Sequence, residues 1–172
     1  KKLNRFEFQV FSQNGEDGIL QEIFRRIGTT NNIFVEIGAG SGLENNTLHL
    51  LAQGWKGYWF EADMAHIQSI REHFLSVLRG GTLSATQAFV TAENSEMLFS
   101  RCGIPKEFDL LSIDIDGNDY WVWKKISHFS PRVVVIEYNA LFRPGTRWVM
   151  KYNPSHAWRK TSYHGASITS LE

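Results

Sequence analysis

An open, doubly wound α/β fold, with a mostly parallel sheet and helices on both faces, is the class this sequence predicts. Three observations predict it. Short β-branched runs alternate with longer stretches of helical apolar period, and strands alternating with helices make right-handed βαβ crossovers. One run, Val133-Val134-Val135-Ile136, is apolar at consecutive positions, as a strand buried on both faces must be. Acids gather where the runs end: Glu36, Glu61 with Asp63, Asp114 with Asp116, and Glu137. A buried acid is expensive unless paired, and open α/β sheets bind ligands beyond the carboxyl ends of their strands. A site is expected there.

The elements follow in order. Residues 15–28 predict a first helix with Ile19, Ile23, Phe24 and Ile27 on one face and Gly28 closing it. NIFVEIG (32–38) is a short apolar strand. Asn45, Asn46 or Thr47 can cap the next helix, which Gly54 ends. KGYWFEAD (56–63) is the second strand, and residues 65–81 make one amphipathic helix closed by glycines. TLSATQAFV (82–90) is a third strand and residues 92–103 a short helix. FDLLSIDIDG (108–117) is a fourth strand, followed by a helix over NDYWVWKKI. PRVVVIEYN (131–139) is the fifth strand. Residues 140–160 hold prolines, aromatics and cations without a period and predict a long loop over the site, a substrate or lid segment. SYHGASITSLE begins a last helix.

The 172 residues are one domain's worth of chain. With 42% apolar and 21% charged residues the composition is that of a globular protein. No run of about 18 apolar residues exists to span a membrane, and no basic-then-apolar leader opens the chain. The single cysteine, Cys102, cannot form an internal disulfide, which fits a cytoplasmic setting. Cysteine-built zinc sites are excluded. The chain starts at Lys1 without methionine and stops at Glu172, and both ends read as cuts in a longer protein. Formal net charge is zero, which argues against nucleic acid as a partner. Charge is nevertheless uneven: Arg143, Arg147, Lys151, Arg159 and Lys160 fall in a stretch without acids, either a solvated face or the wall of a pocket for an anionic substrate.

The stretch FVEIGAGSGLENNT (34–47) carries the most chemical information. The dinucleotide fingerprint G-x-G-x-x-G requires a third glycine where this chain has Leu43. Instead Gly38, Gly40 and Gly42 alternate behind Glu36, a carboxylate that would repel a pyrophosphate. No Gly-Lys-Ser/Thr follows, so the phosphate-binding loop of nucleotide hydrolases is absent as well. An acid beside bare glycine backbone suits a sulfonium or ammonium group. S-adenosylmethionine has both, with a carboxylate for the helix start at Asn46 and Thr47 and two ribose hydroxyls for Glu61. The expected cofactor contacts are Glu36, the loop Gly38-Ala39-Gly40-Ser41, Glu61 with Ala62, and Asp114. Gln13, Asn14, Glu16 and Asp17 either reach the methionine end or cap the first helix.

Several blocks then resemble one family. FSQNGEDGIL (11–20), VEIGAGSGLENNTLHLLAQGWKGYWFEAD (35–63), DLLSIDIDGNDYWVW (109–123), VVVIEYNALF (133–142) and YHGASITSLE (163–172) are similar, in order, to the motifs of FkbM-type class I methyltransferases. The resemblance implies a Rossmann-like fold and methyl transfer from S-adenosylmethionine, often to an oxygen of a small molecule or glycan. Such folds normally add an antiparallel β-hairpin after the last helix, which this chain stops short of.

A hydroxyl acceptor must lose its proton to a base or to a metal-bound environment. Candidate catalytic groups are Asp114, Asp116, Glu137, Asn139 and His164. Aspartates plus an amide oxygen would also suit a Mg²⁺-type ion, an arrangement that resembles catechol-type methyltransferase sites but is not the favoured reading. Asp116 and Asp119 can alternatively cap the turn of IDIDGND. Nucleobase amino-methylation is disfavoured, because Asp114-Ile115-Asp116-Gly117 stands where an Asn/Asp-Pro-Pro-aromatic motif is expected. Trp148, Tyr152, Trp158 and Tyr163 can stack a ring or form an apolar lid. Two other functions stay open at this point, a nicotinamide-dependent oxidoreductase and a non-catalytic domain that keeps the fold and binds cofactor.

Overall fold

The computed structural model describes residues 2–172. Five strands, β1 (Ile33–Ile37), β2 (Lys56–Glu61), β3 (Leu83–Gln87), β4 (Glu107–Ile113) and β5 (Ser130–Ile136), form one sheet. Its order is β3-β2-β1-β4-β5 and every pairing is parallel. The helices between them are α1 (Glu16–Ile27), α2 (Leu48–Ala52), α3 (Met64–His73), α4 (Leu75–Arg79), α5 (Ser95–Arg101), α6 (Asp119–Lys125) and α7 (Ile168–Leu171), and a 3₁₀ turn (Leu3–Phe6) precedes α1. This is the doubly wound, Rossmann-like arrangement expected. Among the described residues no helix is long and apolar enough to cross a membrane.

Period-two alternation sorts the strand side chains onto two faces. Phe34, Trp59 and Leu110 join Leu20, Phe24, Leu50, Ile67 and Ile70 in one apolar layer. Val35, Ile37, Tyr58, Phe60, Leu111 and Ile113 join Phe99, Val122 and Ile126 in the other. The strand order reverses between β1 and β4, and the register there sets Ile37 beside both Phe60 and Ile113. The residues that follow these three positions are therefore brought to one edge of the sheet. That edge is the topological switch point, where a crevice opens in such sheets.

Two expectations need correction. The helix expected over residues 65–81 is two helices, broken at Phe74. Phe74 leaves helical geometry (φ −112°, ψ 19°) and packs its ring edge-on against Trp59, 5.1 Å between centroids. The buried face of α1 is also different: Leu20 and Phe24 enter the core, while Ile27 is 48% exposed. Ile19 and Ile23 lie on a second apolar stripe that, with Val133, Val135, Ile168 and Leu171, lines a groove of 410 Å³ along β5.

Residues 140–160 contain no helix or strand, as expected, but the segment is anchored. Trp121 Nε1 donates to the Met150 carbonyl (2.9 Å) and Asn118 Nδ2 to the Asn153 carbonyl (2.7 Å). The Tyr152 hydroxyl donates to Glu93. Val149 bridges Ala166 in antiparallel sense. The result is a strap laid across the carboxyl edge of the sheet.

Candidate functional site

The glycine loop leaves β1 under tight backbone control. Gly38 and Ala39 both donate to the Phe60 carbonyl, and Asp114 N donates to the Ile37 carbonyl (3.0 Å). Gly38 has φ +89°, and a Cβ on it would lie 1.7 Å from the Asp114 carbonyl oxygen. Only glycine lets the β4 end come so close. Gly40 has φ +57° with nothing within 4 Å of its would-be Cβ. Its bare backbone faces open space, and its N–H donates to Glu61 Oε2 at 2.7 Å.

Two chambers meet at this loop, sharing Gly38, Gly40, Asp114 and Asp116. The first, of 270 Å³, has apolar walls of Phe60, Ala88, Phe89, Val90 and Ile115 with Glu61, Ala62 and His66 on one side. Glu61 Oε1 accepts from Asp63 N (2.8 Å) and stands 3.5 Å from His66 Nδ1. Each carboxylate oxygen thus holds one backbone hydrogen bond and keeps acceptor capacity for another. His156 and Ala157 of the strap close the far side, the His156 ring lying on Gly117, where a Cβ would meet it at 2.4 Å.

The second chamber, of 640 Å³, is lined by Glu16, Glu36, Glu44, Asp114, Asp116 and Glu137, with Gln13 and Asn14 from the N-terminal turn and Tyr138 and Trp158 as aromatic surface. Glu36 reaches back to the start of α2: it accepts from Asn46 N (3.0 Å) and from the Thr47 hydroxyl (2.5 Å), which itself accepts from Trp59 Nε1 (2.8 Å). Burial pushes its carboxyl up to about 7. Asp114 is open to solvent but recessed in the crevice, and desolvation with Asp116 and Glu16 nearby raises it to about 6. Glu137 is raised to about 8 by burial and by Asp119, Asp114 and Asp116. Its Oε2 has no hydrogen-bond partner among the described residues, and Oε1 lies 3.6 Å from His164 Nδ1, itself unpartnered.

One oxygen each from Asp114, Asp116 and Glu137 lies within 4.8 Å of the other two. That spacing is compact enough to face a single cation. Asn139, a candidate catalytic group and in the disfavoured metal reading an oxygen ligand, is committed elsewhere: its Nδ2 donates to the Ser162 and His164 carbonyls (2.9 and 3.0 Å) and its Oδ1 accepts from Leu141 N (3.1 Å). It pins the strap and does not line either chamber. Asp119, fully buried, accepts from Ile115 N and Gly117 N (both 2.9 Å) and holds the IDIDGND turn. Desolvation raises its carboxyl to about 7. Asp116 sits in that turn at φ +51°, a conformation non-glycine residues seldom adopt.

Of the other expected residues, Ala39 is buried in the core (1% exposed) and Ser41 caps its own turn, its hydroxyl accepting from Leu43 N. Neither lines a chamber. Glu16, Gln13 and Asn14 do, whereas Asp17 organises the preceding turn by accepting from Val10, Phe11 and Ser12. Of the two alternatives for the basic stretch, a solvated face or a pocket wall, the solvated face is the one found. Arg143, Arg147, Lys151, Arg159 and Lys160 are all exposed and none lines either chamber; His156, Ala157 and Trp158 are the strap residues that turn inward. The sequence reading did not assign Phe89, His66, Asn118 and His156 to the site. Phe89 left only a weak signal, an aromatic near the end of the expected third strand, while His156 had none.

No family model and no curated protein sequence matches this chain. Among solved structures it is similar to the glycopeptide N-methyltransferase MtfA complexed with S-adenosyl-L-methionine (17% identity over 73% of this chain and 53% of that one, TM-score 0.47). It is also similar to the CcbJ methyltransferase from Streptomyces caelestis (12%, 68% and 45%, TM-score 0.44). A third is a S-adenosylmethionine-dependent methyltransferase from Clostridium acetobutylicum (15%, 64% and 43%, TM-score 0.43). The chain spans about half the length of these structures.

Proposed function

We propose that this chain binds S-adenosylmethionine across the two chambers and transfers its methyl group to a small molecule held in the second. The observation that carries this reading is the placement of Glu61. Its carboxylate ends β2 directly beside the open Gly40 backbone, at the mouth of an apolar slot. A flat base fits between Phe60, Ala88, Phe89, Val90 and Ile115, and vicinal hydroxyls meet the spare acceptor capacity of Glu61. Gln13 and Asn14 supply polar groups for an amino-acid end in the second chamber.

When bound, S-adenosylmethionine supplies an electrophilic methyl carbon whose bonding pair leaves with sulfur as the acceptor's lone pair attacks. The protein's work is orientation and proton removal. The strap excludes water by laying His156, Ala157 and Trp158 over the junction of the chambers. Glu137, with a free Oε2, is the group placed to take a proton from an oxygen or nitrogen nucleophile, and His164 stands next to it to pass that proton outward. Asp119 keeps the IDIDGND turn in place beneath both.

Calorimetric titration with S-adenosylhomocysteine tests the reading through Glu61→Ala. A hydrogen bond to a charged group is worth about 1.5–3 kcal/mol, so affinity should fall about tenfold or more. An unchanged affinity would remove the ribose assignment.

A further inference from the structure

We infer that the methyl acceptor is an organic amine that enters the second chamber as its ammonium ion. This deepens the methyl-transfer reading and rests on it. Six carboxyl groups line that chamber, and among the described residues no lysine or arginine does. S-adenosylmethionine brings a net charge of only about one positive unit, so with Glu36 hydrogen-bonded to the start of α2 an excess of acid still faces the acceptor. Asp114, Asp116 and Glu137 hold oxygens within 4.8 Å of one another without a cation between them in the chain itself. Burial first, and then the neighbouring acids, raise the proton affinity of Asp114 and Glu137, and an incoming cation would relieve the repulsion among them. A phosphate or carboxylate acceptor would be repelled by the same groups.

The aromatic surface distinguishes an organic cation from a metal ion. Tyr138 and Trp158 line the same chamber with 45% and 44% of their surfaces exposed, although large aromatics gain by burial. Such faces attract alkylammonium groups. A hydrated divalent ion gains nothing from them and favours about six oxygen ligands, and the Asn139 amide is committed to the strap.

The chemistry balances with the groups present. The ammonium nitrogen gives one proton to the Glu137 carboxylate, ionised by the arriving charge, which hands it to His164 and solvent. The freed lone pair forms the new N–C bond as the C–S pair stays on sulfur. The product leaves as a methylammonium ion and S-adenosylhomocysteine stays behind.

The test is calorimetry on protein saturated with S-adenosylhomocysteine. Ethanolamine, cadaverine and glucosamine are each titrated beside their N-acetylated, neutral twins, in two buffers of different ionisation enthalpy near pH 7. At least one amine should bind tenfold or more tightly than its twin, with a buffer-dependent heat that reports proton release from Glu137. Asp116→Asn, a residue that tolerates the positive φ, should weaken that amine at least tenfold more than it weakens S-adenosylhomocysteine, which lies over the same shared floor. Equal binding of amine and twin, or no amine binding while S-adenosylhomocysteine still binds, overturns the amine and leaves methyl transfer standing. Tight Mg²⁺ binding that displaces the amine assigns the acids to a metal and overturns it too. Absence of S-adenosylhomocysteine binding takes down both readings.

Discussion

The two chambers share a floor and differ in almost everything else. The first is walled mostly by residues that the sheet and the loops after its strands hold in place, with only His156 and Ala157 coming from the strap: Phe60 and Glu61 at the end of β2, Ala88 to Val90 just past β3, and Ile115 just past β4. The second draws on the N-terminal turn, the start of α2, the end of β5 and the strap, and its walls are acids that repel one another. One is shaped before any ligand arrives, as a site reading a fixed nucleoside should be. The other carries electrostatic tension that a ligand must relieve. Two neutral glycines divide the same labour: Gly38 exists for the fold, Gly40 for the occupant.

That division gives the largest expected effect. Gly38→Ala sets a methyl carbon 1.7 Å from the Asp114 carbonyl, so β1 and β4 must part. Urea unfolding should show a loss of more than about 3 kcal/mol, and near-native stability would break the comparison. Gly40→Ala meets no atom and should lose only about 1–2 kcal/mol through its left-handed φ. Its affinity for S-adenosylhomocysteine should still drop by about tenfold or more, since 1.4 kcal/mol of lost contact already does that. An affinity unchanged by the new methyl would place the ligand elsewhere.

The smallest effect sharpens the electrostatic half. Glu137 has its pKa raised to about 8 against an ordinary 4.5. Between those values the unfolded chain releases a proton that the folded chain keeps, so this group's contribution to stability is full below about pH 4.5 and is lost as pH rises through about 8. Glu36, Asp114 and Asp119 act in the same direction, with upper limits near 7, 6 and 7. Glu137→Gln should therefore stabilise the ligand-free protein at pH 8, on the order of 1 kcal/mol, and change little at pH 4.5. Thermal melts across that range check it; a variant less stable at pH 8 than the parent would contradict the crowding of carboxylates.

How much of this was legible in the sequence follows the same boundary. The strands, their order of appearance and the loop of alternate glycines are set by local spacing and stand where expected, although strands expected over 56–63, 82–90, 108–117 and 131–139 end earlier, at Glu61, Gln87, Ile113 and Ile136. Glu61 beside Gly40 followed from a strand end and a loop that the parallel sheet must bring together. The break at Phe74 did not follow, because a ring finding Trp59 overrides a continuous helical period. The strap was least legible. Its aromatics and cations have no period, and only docking on Gly117, Asn118 and Trp121 decides that His156 and Trp158 turn inward while the five cations face water. Asn139 sits at a strand end like the acids, yet the strap captures its amide.

One titration tests the shared floor most directly: S-adenosylhomocysteine against this chain by calorimetry, with NAD⁺ as the competing shape. The account predicts saturable one-to-one binding of S-adenosylhomocysteine and no heat from NAD⁺, because Leu43 replaces the third glycine and acids face the loop where a pyrophosphate would lie. Binding of NAD⁺, or silence from S-adenosylhomocysteine, would contradict it.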